Sequence, residues 1–111
     1  MKAAVFTLPA YERQARRLLT DAEKAALEEY IAERPGDHPI VPGTSGVRKA
    51  RWGRGATGKR GGLRAIYYFQ IGQHAIYMLT LYAKSAQGNL TEADKRAIRK
   101  IVSHLKGRTV Q

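Results

Sequence analysis

Apolar and polar positions along the chain fall into periodic blocks separated by glycine and proline clusters. AAVFTL at 3–8 is a short apolar run closed by Pro9, which predicts a first strand and then a helix start, where a missing proline N–H costs nothing. From 10 to 33 helix formers recur in helical period. Thr20 followed by Glu23 has the form of a capping box, so this region divides into a helix near 10–18 and a longer one near 21–33. Leu27, Tyr30 and Ile31 give the second helix an apolar stripe. RPGDHPIVPG then ends it, because its prolines cannot continue a helix.

Three strand-like blocks follow: VRKARW at 47–52, LRAIYYFQI at 63–71 and AIYMLTLYA at 75–83. The turn GQH lets the last two form a hairpin. LTEADKRAIRKIVSHLK at 90–106 predicts a closing helix, with Thr91 and Asp94 as its capping pair and Ile98, Ile101, Val102 and Leu105 as its inner stripe. The order β-α-α-β-β-β-α defines an α+β class, a small and mainly antiparallel sheet with helices packed on it.

A period of two sorts the strand residues by face. Lys49 and Arg51 lie together with Ala50 opposite, and Arg64 lies opposite Leu63, Ala65, Tyr67 and Phe69. In the last strand Thr80, Tyr82 and Lys84 fall together, opposite Tyr77, Leu79 and Leu81. With the larger apolar set against the helices, Lys49, Arg51, Arg64 and Lys84 share the other face. Such a cluster repels itself unless an anion sits there.

Composition adds a partner to this picture. A chain of 111 residues and 12.4 kDa supplies one core, so residues 1–111 read as a single domain. The net charge of +11 is uneven: residues 1–37 carry seven acidic and six basic side chains, whereas 38–91 carry eight basic and none acidic. A solubilising surface mixes signs, so a stretch without one acidic residue between Asp37 and Glu92 points to a polyanion. No amphipathic segment has a mainly Lys/Arg polar face, which favours nucleic acid over a membrane surface. The N-terminus lacks a signal-peptide core and no run nears the roughly 18 apolar residues of a membrane span, so the chain reads as a soluble, unexported, cytoplasmic protein. Without cysteine, and with His38, His74 and His104 widely spaced, neither a metal nor another cofactor is expected.

GRGATGKRGG at 53–62 has five glycines in ten residues and reads as a flexible flap. It is not a phosphate-binding P-loop, because Gly58-Lys59 is followed by Arg60. Lys59 and Arg60 are candidate phosphate contacts, and Arg48, Arg54 and Tyr82 join them as candidate substrate contacts. RNA cleavage needs no carboxylate pair or metal: the 2′-hydroxyl can attack its own phosphodiester once it is aligned and the charge on phosphorus and the leaving oxygen is neutralised. Arginine and lysine can supply that charge. The sequence offers no evident general base, since its histidines lie outside the cluster.

GTSGVRKARW, GKRGGLRAIYYF, YMLTLYAKS and LTEADKRAI, in this order and spacing, resemble the HigB-like branch of the RelE/ParE toxin superfamily. The resemblance covers roughly residues 40 to 100 in sequence and the whole element order in pattern. It implies a toxin of a type II toxin–antitoxin pair, acting as a ribosome-dependent mRNA endonuclease that cuts in the ribosomal A site, contacts mRNA and ribosomal RNA, and inhibits translation. By resemblance Lys49, Arg51, Arg64 and Lys84 hold the scissile phosphate and stabilise the pentavalent state. Some relatives place a Tyr or His near the chain end as base, a position where this chain offers His104. The resemblance also implies a protein antitoxin with a DNA-binding domain. Two other readings stand beside it: a ParE-like DNA gyrase poison, and a non-enzymatic RNA- or ribosome-binding protein.

Overall fold

The structure, a computed structural model, describes residues 1–54 and 59–107, with the side chains of 54 and 59–61 outside that description. Its elements are β1 (Ala4–Thr7), α1 (Pro9–Leu18), α2 (Asp21–Glu33), β2 (Arg48–Arg54), β3 (Lys59–Gln70), β4 (Ala75–Ala83) and α3 (Glu92–Gly107). The order matches the sequence pattern. The largest boundary difference is at the β2–β3 connection, where strand pairing reaches Arg54 and Lys59 inside the segment that reads as a flap.

Pro9 opens α1, and Tyr11 and Ala15, one turn apart, are buried. The Thr20 hydroxyl accepts from the Glu23 N–H at 3.1 Å while the Glu23 carboxylate accepts from the Thr20 N–H at 2.8 Å, so the capping box forms. Leu27 and Ile31 are fully buried, but Tyr30, expected in the same stripe, is 45% exposed. It sits at the margin of the stripe, its ring against Trp52 of β2 at 5.4 Å. A polar clamp joins β1, α1 and α2. Lys24 Nζ lies 3.2 Å from Glu12 and 3.0 Å from Glu28, Thr7 donates to Glu12, and Tyr11 donates to Glu28.

The strands form one sheet in the order β1-β4-β3-β2. β2 with β3 and β3 with β4 are antiparallel, whereas β1 runs parallel to β4 with Ala4 opposite Ala75. Parallel neighbours need a long crossover, which the chain from α1 to β3 provides. Both faces of the sheet are covered. α1 and α2 pack on Ala50, Leu63, Ala65, Tyr67, Met78 and Leu81, and Ile98, Val102 and Leu105 of α3 pack on Val47, Ile66, Tyr68, Leu79 and Tyr82. The face that carries Arg64 is therefore partly roofed by α3, not open along its length as the alternation of β3 alone suggests.

A bulge changes the assignment of β4. Ile66 faces Thr80 and Tyr67 faces Met78, which leaves Leu79 as the extra residue. Beyond it the alternation is reset, so Tyr77 and Leu79 join Tyr82 in the α3-side cluster instead of lying with Leu81. At the other end of that layer the Thr91 hydroxyl and the Asp94 carboxylate exchange hydrogen bonds with each other's N–H groups and start α3. Arg99 of α3 then donates to the Gly43 carbonyl at 2.6 Å, tying the helix to the loop ahead of β2.

Candidate functional site

The register of the three antiparallel strands sets the basic cluster. Arg51 pairs with Arg64, Arg64 pairs with Tyr82, and Lys49 pairs with Ile66. Residues directly opposite share a face, so Lys49, Arg51, Arg64 and Tyr82 lie on the side that α3 partly covers. The Lys49 N–H is donated outward to the Pro39 carbonyl, away from β3. By alternation Arg51 also directs its backbone outward, which makes Arg51 and Arg64 a non-hydrogen-bonded pair with Cα atoms about 4.5 Å apart. Like charges that close disfavour the pair, and an anion between them offsets the repulsion. Arg64 is 5% exposed and donates to the Leu63 carbonyl, while Arg51 is exposed.

A groove of about 440 Å³ opens at the outer edge of β2, lined by Tyr30, His38, Pro39, Ile40, Val41, Pro42, Lys49 and Arg51. The sequence alone leaves every histidine outside the cluster; His38 is beside it. What brings it there is the 36–41 segment folding back along β2, with Ile40 bridged to Arg48. Arg48 fixes that segment by donating to the carbonyls of Gly36 and His38 at 3.1 and 2.7 Å. Its position opposite Tyr67, in the α1/α2-side cluster, puts it on the other face from Lys49 and Arg51, where it braces the loop and does not join the basic cluster.

Burial lowers the His38 pKa, and Arg48 lowers it further against the opposing pull of Asp37. The ring therefore stays neutral at neutral pH. A histidine with a folded pKa below its unfolded one contributes stability that is complete above the unfolded value and is lost as pH falls through the folded value. Unfolding by urea is expected to show stability declining from about pH 7 toward pH 5, and less steeply in His38→Gln. The lowered carboxylate of Glu12, hydrogen-bonded by Thr7, acts in a separate window below its ordinary 4.5. Equal slopes for the two proteins from pH 7 to 5 would remove His38 as the cause.

A second groove of about 370 Å³ lies on the α3 side of Lys49, lined by Val41, Pro42, Lys49, Tyr82, Asn89, Leu90 and Lys95. Among the described residues no carboxylate lines either groove. Tyr82 is 7% exposed, and its hydroxyl has no hydrogen-bond partner among the described residues. Burial raises the phenol pKa despite the opposing influence of Arg64, so the group remains a proton donor. Lys95 is a groove residue that strand alternation cannot find, because the docking of α3 places it. Lys84, past the end of β4, is exposed, donates its N–H to the Gly62 carbonyl and lines neither groove. His104 is exposed on α3 and lines neither groove. The side chains of Arg54, Lys59 and Arg60, expected from the sequence to contact substrate, lie outside the described residues. Among the described residues no group of three or more His, Cys, Asp or Glu is placed to hold a metal ion, and no helix is long and apolar enough to cross a membrane.

A family model described as the RelE toxin of the RelE/RelB toxin–antitoxin system matches residues 4–111. The chain belongs to that toxin family, and membership implies a cognate antitoxin. Among solved structures it is similar to an arginine-to-alanine double mutant of the Escherichia coli toxin RelE in the free state. The TM-score is 0.60 at 15% identity, covering 86% of this chain and 98% of that one. It is also similar to the isolated Escherichia coli RelE toxin, with a TM-score of 0.52 at 13% identity over 89% of this chain and 98% of that one. At these identities the likeness is one of fold.

Proposed function

We propose that this chain is a ribosome-dependent mRNA endonuclease of the HigB-like branch, which cuts mRNA in the A site and is neutralised by an antitoxin carrying a DNA-binding domain. The observation that supports this reading most is the register that sets Arg51, Arg64 and Tyr82 side by side on three strands, with Lys49 two residues along. In the reaction the 2′-oxygen bonds to the adjacent phosphorus as the bond to the 5′-oxygen breaks. The 2′-hydroxyl loses a proton, the leaving oxygen gains one, and the products are a 2′,3′-cyclic phosphate and a 5′-hydroxyl end.

Lys49 and Arg51 grip the scissile phosphate, and Arg64 meets the charge that builds on its oxygens in the transition state, where a fixed donor in a water-poor site is worth most. The Tyr82 phenol is a neutral donor beside them. Lys84 holds phosphate further along the strand, and Arg54, Lys59 and Arg60 on the hairpin follow the RNA backbone. Ribosomal RNA supplies the alignment of the nucleophile, which suits a chain rich in cations and poor in catalytic bases.

The test adds purified protein to programmed ribosomes and, separately, to naked mRNA, and maps new 5′ ends. Ends that arise only on ribosomes, at the A-site codon, are the expected result. Intact mRNA with folded protein that still arrests growth would overturn it. A supercoiling assay would then separate the ParE-like gyrase poison from a passive RNA binder.

A further inference from the structure

Tyr30, Ile40 and His38 do not belong to the basic cluster, yet they line the same groove as Lys49 and Arg51. Tyr30 and Ile40 are 45% and 52% exposed. Single exposed apolar side chains are ordinary on a protein surface. Two of them in one concavity, lined also by an imidazole and two cations, match the chemistry of a nucleotide: a flat base beside a phosphate. The volume of about 440 Å³ falls within the common span of roughly 300–1,000 Å³ for small-molecule clefts.

The platform is held before any ligand arrives. Tyr30 meets His38 at 5.3 Å and Trp52 at 5.4 Å, tilted by 59° and 46°, so its ring is braced by two aromatic neighbours. His38 in turn meets Tyr67 edge-on at 6.1 Å. Two bonds from Arg48 to the Gly36 and His38 carbonyls, and one from the Tyr67 hydroxyl to the Pro35 carbonyl, anchor the segment that presents the imidazole. A surface fixed in this way loses little conformational freedom on binding.

We infer that the Tyr30–His38 side of this groove is a base-stacking shelf for one nucleobase of single-stranded RNA, whose neighbouring phosphate lies on Lys49 and Arg51. The inference rests on the RNA-directed reading of the basic cluster and adds a base contact to it. Every base has a π face, so the shelf raises affinity for base-bearing RNA without selecting one sequence. Arg48, buttressing the loop from the opposite face, is a positioning residue for the shelf.

The experiment titrates the full chain with a labelled trinucleotide made uncleavable by 2′-O-methyl groups, and with an abasic strand of the same length, at one fixed salt concentration because phosphate contacts make both salt-sensitive. Anisotropy of the label reads affinity. Trp52, the single tryptophan and a neighbour of Tyr30, reads occupancy of the groove through its emission. The base-bearing strand is expected to bind on the order of 10- to 100-fold tighter than the abasic one and to change Trp52 emission. Tyr30→Ala should erase the difference, and Tyr30→Phe should keep it; circular dichroism checks that both variants fold.

Equal binding of the two strands by the parental protein, or unchanged discrimination in a folded Tyr30→Ala, would overturn the shelf. Ribosomal cleavage is scored in parallel. Cleavage without base discrimination removes the shelf alone, and base discrimination without cleavage removes the nuclease reading alone.

Discussion

Arg64→Ala is expected to lower the rate of ribosome-dependent cleavage by about 10² to 10³, the loss seen when one preorganised donor is removed from a transition-state site. Arg64 is the middle member of the Arg51, Arg64, Tyr82 row, is 5% exposed, and has Arg51 as its direct cross-strand partner. A donor in a water-poor position meets developing charge with little screening, whereas exposed Arg51 shares the task with solvent. Arg64→Lys keeps the charge but loses the planar fork, so an intermediate loss is expected. Because so buried a side chain also fills space, thermal unfolding must accompany the assay. Lys49→Ala provides the second arm, since Lys49 is only partly buried and its removal is expected to slow cleavage with little change in stability. A folded Arg64→Ala that cuts at the parental rate would remove the proposed site.

The elements were legible because each carries a local signal: Pro9 before α1, the Thr20 and Glu23 pair before α2, the Thr91 and Asp94 pair before α3, and the period of two in β2 to β4. The direction of β1 was not legible. Four residues contain nothing that distinguishes a parallel from an antiparallel neighbour, and its partner β4 lies far along the chain. Nor was the Leu79 bulge, since LTLY alternates no differently from a regular strand and only the pairing with β3 reveals the extra residue. The same limit hid the second layer. Alternation puts Ile66 and Tyr68 on the same face as Arg64, and only the docking of α3 turns that part of the face into core.

The site divides along the same line. Lys49, Arg51 and Arg64 share a face because alternation is local and the β2–β3 register keeps it intact through Trp52. Arg48 is one residue from Lys49 and therefore faces the other way, so nearness in sequence misleads there. His38 and Tyr30 come to the groove through the fold-back of 36–41 and the margin of α2, and Lys95 comes through the docking of α3. No spacing rule encodes these approaches. The one available signal was the RPGDHPIVPG segment itself, whose prolines stiffen a connection that then lies against the edge strand.

Ile66→Ala tests the covered face directly and is expected to cost about 2 to 5 kcal/mol of unfolding free energy, the range for deleting a large aliphatic side chain from a packed core. Ile66 is fully buried, sits across from Lys49 and Thr80, and belongs to the cluster with Val47, Ile98 and Val102. Against a total stability of roughly 5 to 15 kcal/mol such a loss is large, and urea unfolding with an unchanged slope would show it as a shifted midpoint. Ile71→Ala is the internal comparison: at 72% exposure it is expected to change stability by less than about 0.5 kcal/mol. The cavity under α3 also loosens the helix that carries Lys95 and, through Arg99, holds Gly43 of the loop before β2. Cleavage should therefore fall along with stability in Ile66→Ala, although the side chain touches no phosphate in the proposed site. A cost below about 1 kcal/mol would mean that α3 does not seal this face, and the basic cluster would then stand on an open sheet, as strand alternation taken alone describes it.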